Sequence, residues 1–154
     1  MNGTSKYSTA GLSISGYLIF LLEVLISWKS KGQKVPALSS TEAEYTAFTE
    51  AVKEILYILQ LLKFLEITVK LPVKVYVDNM GAIFLANNST SGTRTKHMDI
   101  KLHFVRHYIE DGIIQIEFVK SEDNKSDMCA KNVKQELLDK YTMGIMEEVD
   151  ENLE

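Results

Sequence analysis

The stretch Thr41–Leu65 constrains this chain most. It contains neither Gly nor Pro, and Ala47, Phe48, Ala51, Val52, Ile55, Leu59 and Leu62 recur at helical spacing. Such a stretch predicts one long amphipathic helix whose apolar face needs a partner along its length. Thr41 followed three residues later by Glu44 fits a capping box and predicts the start of that helix.

The flanking segments supply partners of a different kind. Gly16–Leu21 and Val24–Trp28 are short apolar runs that predict a hairpin, although no Asn-Gly or Gly-Gly turn separates them. The basic stretch Lys29–Lys34 reads as a turn to a third strand ending near Leu38. Beyond the long helix, Val73, Val75 and Val77 alternate, and the run stops at Asp78-Asn79 before a short helix through about Ala86. Asn87–Thr95 is a polar loop. Ile100–Ile109 has helical spacing, Gly112 ends it, and Ile114, Ile116 and Phe118 alternate as another strand. Ser121–Asn124 then caps a last helix holding Asp127 and Ala130. The order predicts an α/β fold, a mixed sheet with helices on its faces.

At 154 residues, 45% of them hydrophobic, the chain suffices for one core. The expected division is a flexible Ser/Thr/Gly-rich lead-in over residues 1–12, one domain over 13–140 and an acidic C-terminal tail over 141–154. Five of the 21 acidic residues, Glu147, Glu148, Asp150, Glu151 and Glu154, fall in the last eight positions; without them 17 basic residues face 16 acidic ones. The net charge of −4 therefore reflects a solvated end, and does not exclude a polyanionic partner. A single Cys, Cys129, excludes a disulfide framework and fits a reducing, intracellular setting. No secretory signal is visible, and the apolar run Tyr17–Trp28 is too short to span a bilayer and carries Glu23.

Three acidic residues fall where strands end or helices start: Glu44, Asp78 and Asp127. Hard carboxylate oxygens without Cys or His at ligand spacing point to Mg²⁺ rather than zinc. Two such ions about 4 Å apart activate a water and stabilise a leaving oxygen in phosphodiester hydrolysis. Each residue also has an ordinary reading: Glu44 completes a capping box, Asp78 caps the following helix, and Asp127 complements a helix dipole. Spacing alone leaves both readings open.

A resemblance covers most of the chain. Ser-Ile-Ser-Gly-Tyr at 13–17, Ile-Ser-Trp-Lys-Ser-Lys-Gly-Gln at 26–33, Ala-Leu-Ser-Ser-Thr-Glu-Ala-Glu-Tyr-Thr-Ala at 37–47 and Glu-Ala-Val-Lys-Glu at 50–54 resemble consecutive blocks of the ribonuclease H domain of copia-type LTR retrotransposon polyproteins. Val-Tyr-Val-Asp-Asn at 75–79, Arg-Thr-Lys-His-Met-Asp-Ile at 94–100, His-Phe-Val-Arg at 103–106 and Glu-Asp-Gly at 110–112 continue it in order, to about Lys131. The resemblance implies a ribonuclease H-like fold, Mg²⁺-dependent cleavage of the RNA strand of an RNA/DNA hybrid, and a reverse transcriptase neighbour in the parent polyprotein. It also implies that Glu44, Asp78 and Asp127 are catalytic metal ligands.

The departures are as informative. The family's first catalytic aspartate, on a central strand, falls near Met1 by spacing, and residues 1–12 contain no acid and no strand-like apolar pattern. The Gly-rich hairpin turn is replaced by Leu22-Glu23-Val24, and the closing helix reads Cys129-Ala130-Lys131-Asn132. The expectation is a truncated or degenerate copy with its first strand missing or poorly substituted, an impaired enzyme or a non-catalytic nucleic-acid-binding remnant. Lys29, Lys31, Arg94, Lys96 and His97 are candidate phosphate contacts, with Asn79 a candidate for a 2′-hydroxyl. Their ordinary reading is a solvated basic face.

Overall fold

The computed structural model describes residues 13–34, 36–88 and 96–150. In chain order the elements are β1 (Ile14–Leu21), β2 (Val24–Gly32), α1 (Ser40–Phe64), β3 (Val73–Val77), α2 (Met80–Asn87), α3 (Lys96–Glu110), β4 (Ile114–Phe118), a 3₁₀ turn (Ser121–Asp123), α4 (Asp127–Ala130) and α5 (Gln135–Asp150). The expected lead-in at 1–12 lies outside the described residues. The long helix forms as its periodicity requires, but its cap is two residues earlier than expected. Ser39 is the N-cap: its Oγ accepts from the Glu42 amide at 3.1 Å, while Glu42 Oε2 accepts from the Leu38 amide at 2.8 Å. That pairing replaces the expected Thr41/Glu44 box and leaves the Glu44 carboxylate with no capping task.

The other end of α1 closes without glycine. The Ile67 amide donates to the Leu62 carbonyl and the Glu66 amide to that of Lys63, with Glu66 in the left-handed region at φ 60°. At α3 the same arrangement uses Gly112 at φ 68°, the expected stop.

β1 and β2 pair antiparallel through a two-residue turn, Leu22-Glu23, in which both residues have positive φ, 50° and 69°. β2 runs through the basic residues to Gly32, so Lys29 and Lys31 lie in a strand and not in a turn. The reason is on the hairpin's α1-facing side: Lys29 Nζ donates to Glu50 at 2.8 Å and Ser27 Oγ to Glu54 at 3.0 Å. Among the described residues no third strand follows near Leu38.

β3 and β4 pair parallel, Val73 opposite Ile114 through Val77 opposite Phe118, with α2 and α3 forming the crossover. The core lies between this pair and α1. Tyr45, Phe48 and Val52 of α1 pack with Val77, Ala82, Leu85, Met98, Leu102, Val105 and Ile114. Burial of residues this size supplies roughly 1.5–3 kcal/mol each before chain entropy is counted. The fold is thus mixed α/β, but among the described residues the strands form two separate pairs rather than one sheet.

α5 has no counterpart in the sequence expectation. It continues to Asp150, so the stretch set apart as a tail from residue 141 begins inside a helix, and Tyr141 is buried. No helix among the described residues is long and apolar enough to cross a membrane.

Candidate active site

Three elements end at one place. α1 presents Glu44 from its second turn, Asp78 follows the last residue of β3, and Asp127 opens α4. The local causes are legible. Asn79 caps α2 by accepting from the Ala82 amide at 3.0 Å, which ends β3 just before Asp78. Gly81 lets α2 approach the start of α1, since a Cβ there would stand 2.9 Å from Thr41 Oγ1. α4 lies directly on β1 because Gly16 has no side chain: a Cβ there would meet Cys129 Cβ at 2.7 Å and the Cys129 carbonyl carbon at 2.9 Å.

The centre of the site is a lysine. Lys131 Nζ donates to both oxygens of Asp127, at 3.0 and 3.1 Å, and stands 3.7 Å from Asp78 Oδ2. Asp78 Oδ2 also accepts from Ser121 Oγ at 2.8 Å. The aspartate side chains are only 5% and 13% exposed, against 48% for Lys131. Behind them, buried Tyr141 of α5 donates its hydroxyl to the Ser121 carbonyl at 3.1 Å, and Lys140 reaches Asp123 at 3.0 Å.

The electrostatics follow from this crowding. Burial, then the charge of Asp78, raises the Glu44 carboxyl above its ordinary range, with Lys131 opposing and Asp127 adding to the rise. Asp127 is raised by burial and by Asp78, against the hydrogen bond and charge of Lys131. Desolvation works against the charge of Lys131, yet Asp127, Asp78 and Glu44 together outweigh it and its ammonium holds its proton more tightly than usual.

The donor set is all oxygen, which suits Mg²⁺ by chemical type. Among the described residues, however, no three His, Cys, Asp or Glu side chains are gathered closely enough to form a ready metal cage. Lys131 supplies the positive charge in their midst.

Of the expected nucleic-acid contacts, Lys31, Lys96 and His97 are exposed. Lys29 is committed to Glu50, Asn79 uses its carbonyl oxygen as a cap, and Arg94 lies outside the described residues. Two further basic residues of α3, Lys101 and Arg106, turn inward to Thr46 Oγ1 and to the carbonyls of Leu85 and Asn88. Sequence reasoning gave no site role to Ser121, Lys131 or Tyr141. Lys131 was within reach of it, four residues after Asp127 at the C-cap of α4.

The chain is similar to known proteins over most of its length. It is 40% identical over 121 residues, 79% of its length, to the retrovirus-related Pol polyprotein from transposon TNT 1-94 of Nicotiana tabacum. It is 37% and 36% identical over 120 residues to the corresponding polyproteins from transposons RE1 and RE2 of Arabidopsis thaliana. The chain resembles a segment of plant-transposon Pol polyproteins. It spans only 8–9% of the length of these Pol relatives. No family model matches the chain, and no solved structure does.

Proposed function

We propose that this chain is a ribonuclease H-like domain of a copia-type retrotransposon Pol polyprotein, working beside a reverse transcriptase and acting on the RNA strand of an RNA/DNA hybrid. The observation that carries the reading is the convergence of Glu44, Asp78 and Asp127, from three distant stretches, around one buried-edge position. The ordinary reading of Glu44 as a capping residue is removed, because Ser39 and Glu42 do that work.

Glu44, Asp78 and Asp127 would hold Mg²⁺, which when bound would neutralise developing charge on a phosphodiester and activate a water. The chain's own residues fix the carboxylates. Ser121 holds Asp78 from one side, and Lys131 holds Asp127 and limits the mutual repulsion of the acids. Exposed Lys31, Lys96 and His97 would meet the hybrid's backbone, a contribution that weakens as salt rises.

One observation favours a second reading, a hybrid-binding remnant without the reaction. Lys131 already pairs with two of the three acids, and among the described residues no three His, Cys, Asp or Glu side chains form a ready metal group. A labelled RNA/DNA hybrid incubated with the chain and Mg²⁺ decides the matter. Slow cleavage of the RNA strand, abolished by Asp78→Asn, is expected. Retention of the hybrid without cleavage would favour the remnant, and neither binding nor cleavage would sink both.

A further inference from the structure

The outward side of α3 carries a second group of chemistry-bearing residues. Asp99, His103, His107 and Asp111 follow one another at intervals of four, and all four are exposed. Residues four apart on a helix are surface neighbours, with Cβ atoms about 5–6 Å apart. His103 and His107 therefore stand one turn from each other, with a carboxylate on the next turn in either direction. Asp111 keeps that register beyond the end of α3, because its amide donates to the His107 carbonyl at 3.0 Å. The positive charges of this stretch are withdrawn: Lys101 reaches inward to Thr46 Oγ1 and Arg106 to the carbonyls of Leu85 and Asn88. Exposed Glu110 adds a further acid. The surroundings of the two imidazoles are thus negative and open to water.

The contact between His107 and Asp111 has the geometry of a ligand pair. His107 Nε2 stands 3.5 Å from Asp111 Oδ2, and the two side chains are 64% and 55% exposed. That is longer than a good hydrogen bond of roughly 2.7–3.2 Å. Two ligands bound at about 2.0–2.1 Å to one tetrahedral ion stand about 3.4 Å apart, which matches. The imidazole is also braced, since Tyr108 meets it edge-on at 5.1 Å and Phe104 in turn meets Tyr108 at 5.2 Å. Among the described residues no three such side chains are already gathered. His103 completes the set by turning about its own side-chain bonds, its backbone being in place.

We propose that His103, His107 and Asp111 form a surface binding site for a divalent cation of the zinc class, with water in the fourth position. Imidazole nitrogens suit Zn²⁺, Cu²⁺ and Ni²⁺, whereas Mg²⁺ prefers oxygen. Two histidines four apart on one helix are a recurrent zinc-holding arrangement. The site is separate from the carboxylate centre. α3 ends where the parallel pair begins, through Ile113 donating to the Tyr108 carbonyl and Val73 to that of Ile113, and Asp78 follows the other end of β3. Five residues of strand put about 16 Å between those ends. An ion held here ties together the last turns of α3, whose inner side places Met98, Leu102 and Val105 in the core. The inference holds whether or not the carboxylates cut a nucleic acid.

The test is a titration of the full chain with Zn²⁺ alone, followed by calorimetry and by the imidazole resonances. Carboxylates also bind Zn²⁺, so the Asp78→Asn chain is titrated beside the parent. Both should show a one-to-one step that moves the His103 and His107 signals and leaves His97, six residues before His103, in place. Excess Mg²⁺ should not displace the ion. His103→Gln, His107→Gln and Asp111→Asn should each weaken binding by roughly tenfold or more. Zn²⁺ should raise the Tm of the parent and leave that of the double histidine variant unchanged, and the exposure of both side chains lets that variant fold. Equal affinity in the double variant, equal shifts at His97, displacement by Mg²⁺, loss of the step in Asp78→Asn, or no step in the parent would each overturn the proposal. Absence of nuclease activity with Zn²⁺ binding intact would count against the proposed reaction and leave this site standing.

Discussion

Lys131→Met keeps most of the aliphatic stem and removes the positive charge from among three carboxylates. Breaking one side of a fully buried pair costs about 3–5 kcal/mol, and an exposed pair is worth under about 1 kcal/mol. Here the acids are 5% and 13% exposed but the lysine is 48% exposed. Discounting for that solvent contact, the expected loss is about 1–2 kcal/mol at neutral pH, a fall in Tm of roughly 2–8 °C for a domain this size. The pH dependence has a definite sign. Glu44 and Asp127 are raised in the folded chain, by burial first, so their contribution to stability is full below the unfolded carboxylate range of about pH 4 and is lost as pH rises through their folded values. Without Lys131 those folded values rise further, so the penalty of the substitution is largest at neutral pH and shrinks on acidification. Urea titrations of both proteins at neutral and acidic pH measure this. Added Mg²⁺ should stabilise the variant more than the parent, since the cation would enter where the ammonium stood. Equal stability of the two proteins at neutral pH, or a deficit undiminished in acid, would refute the coupling of these four side chains.

Three further substitutions test the local architecture. Gly16→Ala should cost about 1–3 kcal/mol, because the added methyl meets Cys129 backbone rather than a flexible chain end; chemical denaturation reads the loss, and an unchanged midpoint would contradict the close approach of α4. Leu22→Asn combined with Glu23→Gly should raise the Tm, since left-handed backbone costs ordinary residues about 1–2 kcal/mol each and the turn places both there. Ser39→Ala should lower stability by about 1 kcal/mol, with amide exchange accelerating at Glu42, whereas Thr41→Ala should leave that amide unchanged.

The parts of the fold that local chemistry dictates were legible in the sequence. The α1 periodicity, the valine alternation of β3 and the Gly112 stop all reappear in place. What escaped was decided at a distance. β2 is tied to α1 through Lys29–Glu50 and Ser27–Glu54, partners more than twenty residues later, whereas the basic stretch with its glycine read as a turn. The start of α1 was missed by two residues because two overlapping Ser/Thr…Glu patterns compete, Ser39/Glu42 and Thr41/Glu44, and only the first is used. α5 was overlooked because its acidic end dominated the reading, although Tyr141 sits among the most buried side chains. For the candidate site, the pattern of residues left Glu44, Asp78 and Asp127 with ordinary explanations. Their convergence was foreseen through the resemblance, and the lysine between them was not.

The chain of contacts from Tyr141 through Ser121 to Asp78 bears on where such a domain ends. An expression clone trimmed just after Lys131 would retain every described strand and the three site carboxylates Glu44, Asp78 and Asp127. It would nonetheless lose the brace behind Asp78, and a protein made that way would report a looser, weaker centre than the gene encodes.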